Sequence, residues 1–146
     1  IFIGGIILSI LFMFIHQGRY SGTGTNLITA CFNVNDNNQI YNYDFVLKML
    51  LTIFTLSIGF QGGEVTPLFA TGATFGYVLA NFLGVDNSLL ASLGFISVFA
   101  SATNTFFCPI MLGIEIFGLY NLPFYILSVV IAYVINFDKS IYQQNR

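Results

Sequence analysis

Gly62-Gly63-Glu64-Val65-Thr66-Pro67, with the apolar run Leu68 to Leu83 behind it, is the stretch on which the reading of this chain turns. Pro67 suits the first turn of a helix, because its fixed φ fits there and its missing N–H would be unpaired anyway. The paired glycines ahead of it permit positive φ and close backbone approach. A helix begun in this way presents free N–H groups and the positive end of its dipole to whatever lies before it, which is an anion site in outline. Taken alone, the same residues also describe a plain turn and a helix-starting proline. The rest of the chain has to choose between them.

Composition narrows the choice. The 146 residues are 56% hydrophobic and 7% charged, with a mean hydropathy of +0.83. A soluble domain carries about 25% charged residues, so this is a membrane protein. Residues 65–85, 87–114 and 116–137 contain no charge, and each gap can hold a span of about 20 residues. A net charge of −2 with no basic cluster gives no sign of nucleic acid as a partner. Cys31 and Cys108 lack metal-ligand spacing and read as small apolar packing residues. His16 is the lone histidine and reads as an interfacial residue. No nucleophile–base or phosphate-cradling pattern accompanies it, so an enzyme is not expected, nor a cofactor or metal. The apolar start at Ile1, with no charged n-region or cleavage site, leads us to expect the tail of a longer polytopic protein and no signal peptide.

The apolar segments are short and broken. Helices are expected over Ile1–Ile15, Asp44–Ile58, Leu68–Leu83, Leu89–Ala100, Phe107–Leu119 and Phe124–Ile135, with a short apolar piece at Leu27–Phe32 and an amphipathic tail at Ile141–Gln144. The uncharged run 87–114 is divided because a single helix of that length would exceed a hydrocarbon core of about 30 Å. It also carries the polar corner Ser101-Ala102-Thr103-Asn104-Thr105 in its middle. Asp86 is expected to cap the helix after it. Asp44 and Lys48, four apart, read as a helix-surface ion pair at a solvated end. Gly72, Gly76, Ala80 and Gly84 form a stripe of small residues suited to close helix packing in a bilayer. Glu115, flanked by apolar residues, is expected to be buried in protein against a helix end or a backbone group. Discontinuous helices whose ends point inward are how transporters build ion sites at mid-membrane.

On these residues the chain resembles the C-terminal half of the CLC family of chloride channels and proton-coupled anion antiporters. Gly63-Glu64-Val65-Thr66-Pro67 sits where that family has G-x-F-x-P. Gly24-Thr25-Asn26-Leu27-Ile28, Lys48-Met49-Leu50-Leu51-Thr52 and Lys139-Ser140-Ile141-Tyr142 resemble three further landmarks, in the family's order. The resemblance implies an all-α membrane protein, a bundle of short, tilted and broken transmembrane helices. Residues 1–146 would be the C-terminal part of the anion-transport domain and mostly the second of two inverted repeats. It implies an anion site made by Gly63, Glu64, Val65, Thr66 and Pro67, with the backbone N–H groups of Glu64 and Val65 facing the ion and the Tyr142 hydroxyl donating to it. It implies a homodimer packed through helices around Ile1–Ile15, Phe107–Leu119 and Phe124–Ile135.

Val65 stands where the family has Phe, and Glu64 replaces a usually apolar residue. The run Gly62 to Phe69, with Gly72-Ala73-Thr74 and Ala102-Thr103-Asn104-Thr105, is similar to the bacterial branch that exports fluoride against protons. A chloride carrier is the other member reading. An ionised Glu64 beside an anion would repel it, so its side chain must point away, be protonated, or cap another helix end. The resemblance places the gating glutamate in the first repeat. The membrane would be a bacterial plasma membrane, and Lys139 and Arg146 favour a cytoplasmic C-terminus. A transport-incompetent product of a degenerate or split gene, and an unrelated broken-helix cation transporter, are the readings outside the family.

Overall fold

The described residues of this computed structural model are 2–15, 19–20, 22–33, 40–60, 63, 65–137 and 139–141. Among them every regular element is helical: α1 (Phe2–Phe14), α2 (Thr25–Phe32), α3 (Asp44–Ser57), α4 (Val65–Leu83), α5 (Asn87–Thr103), α6 (Phe107–Phe117) and α7 (Leu122–Ile135). The helices run from 8 to 19 residues, and none of those described is long and apolar enough to cross a membrane by itself. Several hydroxyls inside them are satisfied locally. Thr52, Thr55 and Ser57 in α3, and Thr71 and Thr74 in α4, donate to carbonyls one turn back at 2.7–2.9 Å. Their hydroxyls therefore need no water.

Helix α4 is the spine, in contact with α2, α3 and α5. Its tightest partner is α5. A Cβ on Gly72 would lie 2.5 Å from the Gly94 carbonyl oxygen, and Cβ atoms on Gly76 and Gly94 would collide with the carbonyls of Leu90 and Gly72. Three glycines thus let two backbones touch, and the fully buried Ala73, Ala80 and Ala91 continue the seam. Gly84 does not belong to it. A Cβ there would meet nothing, and its φ of 68° marks it as the left-handed residue just after α4. The expected stripe is therefore one residue shorter, because Gly84 terminates the helix instead of packing it.

Two cores flank α4. One gathers Cys31, Ala73, Ala91, Phe95, Ile96, Ala100, Ile110, Tyr125 and Val129 between α2, α4, α5, α6 and α7. Phe69 stacks on Phe95 with ring centroids 4.0 Å apart, and Phe95 meets Phe117 edge-on at 5.6 Å. The other holds Tyr20, Leu27, Leu51 and Ala70. Ile28 packs against both, so α2 wedges the two cores together.

The caps follow the sequence in part. Asp86 accepts from the Ser88 N–H at 3.3 Å, as expected of an N-cap. Helix α5 continues through Ser101 to Thr103 and stops at Asn104, which is left-handed at φ 51°. Three expectations fail. Cys31 is buried as predicted, but Cys108 is exposed on α6. Glu115 is exposed too, and its carboxylate takes no hydrogen bond among the described residues. The α6 face that turns inward carries Pro109, Ile110 and Gly113 instead. The third is the pair Asp44–Lys48, which is neither solvated nor a pair.

Candidate functional site

Helix α4 begins at Val65, so Val65, Thr66 and Pro67 already form its first turn. The first-turn N–H groups have no intrahelical acceptor, and Pro67 removes the one that would sit third. What remains is a short row of donors led by Val65 and Thr66, directed out of the helix start. Gly63 is exposed, with open space where a Cβ would be. Glu64 and Tyr142, the other predicted site residues, lie outside the described residues, as do Gly62 and His16.

Gly63 and Pro67 border a cavity of about 320 Å³. Its wall brings together Lys48, Thr52 and Thr55 from α3, Tyr20 from the α1–α2 connection, and apolar side chains including Phe12 and Leu56. Lys48 is the charged group among the described lining residues, and only 3% of it is exposed. Its Nζ donates to the carbonyls of Tyr20 at 2.9 Å and Gly22 at 2.8 Å. Among the described residues it has no carboxylate partner.

Asp44, one turn earlier, is fully buried and engaged elsewhere. Arg19 Nη2 reaches it at 3.2 Å, the Tyr41 N–H donates at 3.0 Å, and the Tyr20 hydroxyl donates to its other oxygen. Burial, reinforced by that bond to Asp44, holds the Tyr20 hydroxyl proton well above the ordinary tyrosine range. Helix spacing correctly placed Asp44 and Lys48 within one turn of each other. Their partners, Arg19, Tyr20 and Gly22, come from more than 20 residues upstream, and local spacing has no access to them. Lys48 Nζ thus ties two carbonyls of the α1–α2 connection to the cavity wall.

Gly24 completes the corner. At φ 85° it precedes α2, and a Cβ there would come within 2.8 Å of Ala70 Cβ and 2.9 Å of Lys48 Cε. Any larger residue would push α2 off α4 and the lysine out of place.

At the far end of the chain, the segment after α7 returns to the C-terminus of α5. The Ile141 N–H donates to Ala102 O at 2.9 Å, and the Ser140 hydroxyl lies 3.3 Å from Thr103 O. The polar corner expected at Ser101–Thr105 is therefore where Ser140 and Ile141 dock.

This arrangement, short helices on a glycine seam with one helix start opening on a cavity that Lys48 lines, defines an all-α bundle of broken helices. Residues 1–136 match the family described as Voltage gated chloride channel. The chain belongs to that family. It is 33% identical over 151 aligned residues to a chloride/fluoride channel protein of Pseudomonas syringae pv. tomato, covering 99% of this chain and 32% of that one. It is 28% identical over 116 residues to an uncharacterized protein of Methanocaldococcus jannaschii, covering 80% of this chain and 29% of that one. Among solved structures, a CLC-type fluoride/proton antiporter superposes with a TM-score of 0.88 at 52% identity, over 97% of this chain and 35% of that one. The chain thus spans about a third of the length of the relatives it matches.

Proposed function

We propose that the parent of this chain moves a monovalent anion across a bacterial plasma membrane, and that the anion is fluoride exchanged for protons. The observation that carries the reading is the start of α4, where donors at Val65 and Thr66 stand beside a cavity whose described wall carries a single charge, that of Lys48. A helix start and a buried ammonium both favour an anion and oppose a cation. The donors are backbone groups, so side chains tune the site without making it. The 52% identity to a fluoride/proton antiporter favours fluoride over chloride.

Within this reading, residues 1–146 are the C-terminal part of the transport domain and mostly its second inverted repeat. Gly63, Glu64, Val65, Thr66 and Pro67 shape the anion site, and the Tyr142 hydroxyl donates to the ion. The parent is a homodimer that transports without enzymatic chemistry, resident cofactor or metal, with its C-terminus in the cytoplasm. The exposed apolar faces of α1, α6 and α7 (Ile3, Met13, Met111, Leu127 and Val134 among them) support burial against lipid or a second subunit.

The test is ion flux from vesicles holding the full-length parent under a fluoride gradient. Fluoride efflux accompanied by proton uptake is expected. Chloride movement without fluoride would move the protein to the chloride carriers, and no movement of either ion would overturn the proposal.

A further inference from the structure

Lys48 brings to its cavity one donor that the fold does not use. An ammonium carries three N–H donors. Two go to the carbonyls of Tyr20 and Gly22 at 2.9 and 2.8 Å, and the third has no acceptor among the described residues. The other hydroxyls of α3 and of Tyr20 on this wall donate within the protein. That of Tyr20 goes to Asp44, and those of Thr52 and Thr55 go to carbonyls one turn back at 2.8 and 2.7 Å.

A buried ammonium is costly without an anionic partner, and Lys48 has no carboxylate among the described residues. The cavity has room for one that arrives from outside. Its volume is about 320 Å³, against a share of about 30 Å³ for each water, so a small anion fits with part of its hydration shell. Gly24 fixes where the ammonium stands. A Cβ there would lie 2.9 Å from Lys48 Cε, 3.4 Å from its Nζ and 2.8 Å from Ala70 Cβ. Ala70 follows Pro67 by three residues, about 4.5 Å along the helix axis. The ammonium is therefore beside α4 nearly one turn past its first residues, while Gly63 and Pro67 line the same cavity at the helix start.

We propose that Lys48 makes a second anion subsite in this cavity, distinct from the donors at Val65 and Thr66. Its third N–H takes a small monovalent anion that keeps water on its other sides. One donor strips little of a hydration shell, so this subsite discriminates weakly among halides and leaves the choice to the helix start. The inference rests on the functional reading above for its part in transport, and on the Lys48 bonds and the cavity for the site itself. The competing explanation is a strut, in which Lys48 only fastens the α1–α2 connection and water takes the third N–H.

The experiment uses the full-length parent, wild type and with Lys48→Gln or Lys48→Arg. Crystals grown in bromide are examined by anomalous scattering, and fluoride flux from vesicles is followed against fluoride concentration. A bromide peak in contact with Lys48 Nζ is expected in the wild type and is expected to be lost in Lys48→Gln, which keeps a donor for the carbonyls and removes the charge. The fluoride concentration for half-maximal flux should rise about tenfold in Lys48→Gln, the effect of losing a hydrogen bond to an ion. Maximal flux should change less than about twofold, as for a group that binds without acting in the rate-limiting step. Lys48→Arg should retain the peak and most of the affinity, and with the wild-type peak it decides the matter if Lys48→Gln fails to fold. No bromide at Nζ, a peak unchanged in Lys48→Gln, or a loss of maximal flux with the half-maximal concentration unchanged would overturn the proposal. A wild-type parent that moves no anion would instead defeat the functional reading, while bromide at Nζ would still decide whether the subsite exists.

Discussion

Helix α4 is held in two different ways along its length. Against α5 it is held by the absence of side chains, where Gly72, Gly76 and Gly94 let carbonyls and α-carbons touch. At its start it adjoins buried charge, where Asp44 and Lys48 fasten the α1–α2 connection beside the cavity. The seam is close-packed, backbone against backbone. The corner keeps a cation whose described partners are carbonyls, which costs stability unless the charge is used. One region is built to hold still, and the other to hold a charge.

The largest expected effect lies in the seam. Gly76→Val would drive a side chain into the Leu90 carbonyl, and overpacking of this kind costs about 3 kcal/mol or more. Thermal unfolding of the detergent-solubilised parent should show a large loss of stability or no folded protein. Next comes the corner. Asp44→Ala would remove the acceptor that Arg19, Tyr20 and the Tyr41 amide share, and removing one partner of a buried pair costs about 3 kcal/mol. Asp44→Asn, which keeps an acceptor for Tyr20, should cost about half as much. If the two variants were equally harmful, the charge on Asp44 rather than its acceptors would be the stabilising element.

Gly84 sharpens the contrast, because its spacing matches the seam and its environment does not. Gly84→Ala should cost about 1 kcal/mol through φ alone, and Gly84→Asn should be nearly neutral. Gly76→Asn should be as damaging as Gly76→Val. The smallest effect belongs to the exterior. Phe82 is 89% exposed, and Phe82→Ala should change the unfolding temperature by the equivalent of less than about 0.5 kcal/mol.

The seam was legible in the sequence and the corner was not. Spacing of four exposes a small-residue stripe because helical periodicity is local, although the same periodicity swept in Gly84, whose backbone conformation no spacing reveals. Six of the seven described helices were recoverable from apolar runs and breakers, whereas α2 was read only as a short apolar piece. Even so, α5 runs past the expected stop at Ala100 to Asn104, where a left-handed residue rather than the polar corner ends it. The polarity of Asp44 and Lys48 suggested water. What buries them comes from the α1–α2 connection, so their environment is a tertiary fact. Glu115 shows the reverse, since a carboxylate in an apolar helix suggested burial, and the face it occupies points away from both cores. Of the residues predicted for the anion site, Val65, Thr66 and Pro67 form the first turn of α4, and Gly63 and Pro67 border the cavity. Lys48 entered the sequence reading as a member of an ion pair and of a family landmark, not as part of the site.

The central claim is that backbone donors at the start of α4 hold the anion, and fluoride binding to two Val65 variants of the full-length parent tests it most directly. Val65→Pro removes one N–H at a position where proline is compatible with a helix start. Val65→Phe keeps that N–H and changes the side chain. Titration calorimetry should find fluoride binding retained by Val65→Phe and weakened about tenfold or more by Val65→Pro, the effect of losing one hydrogen bond to an ion. Equal affinity in the two variants would contradict the account, because the donors would then lie elsewhere.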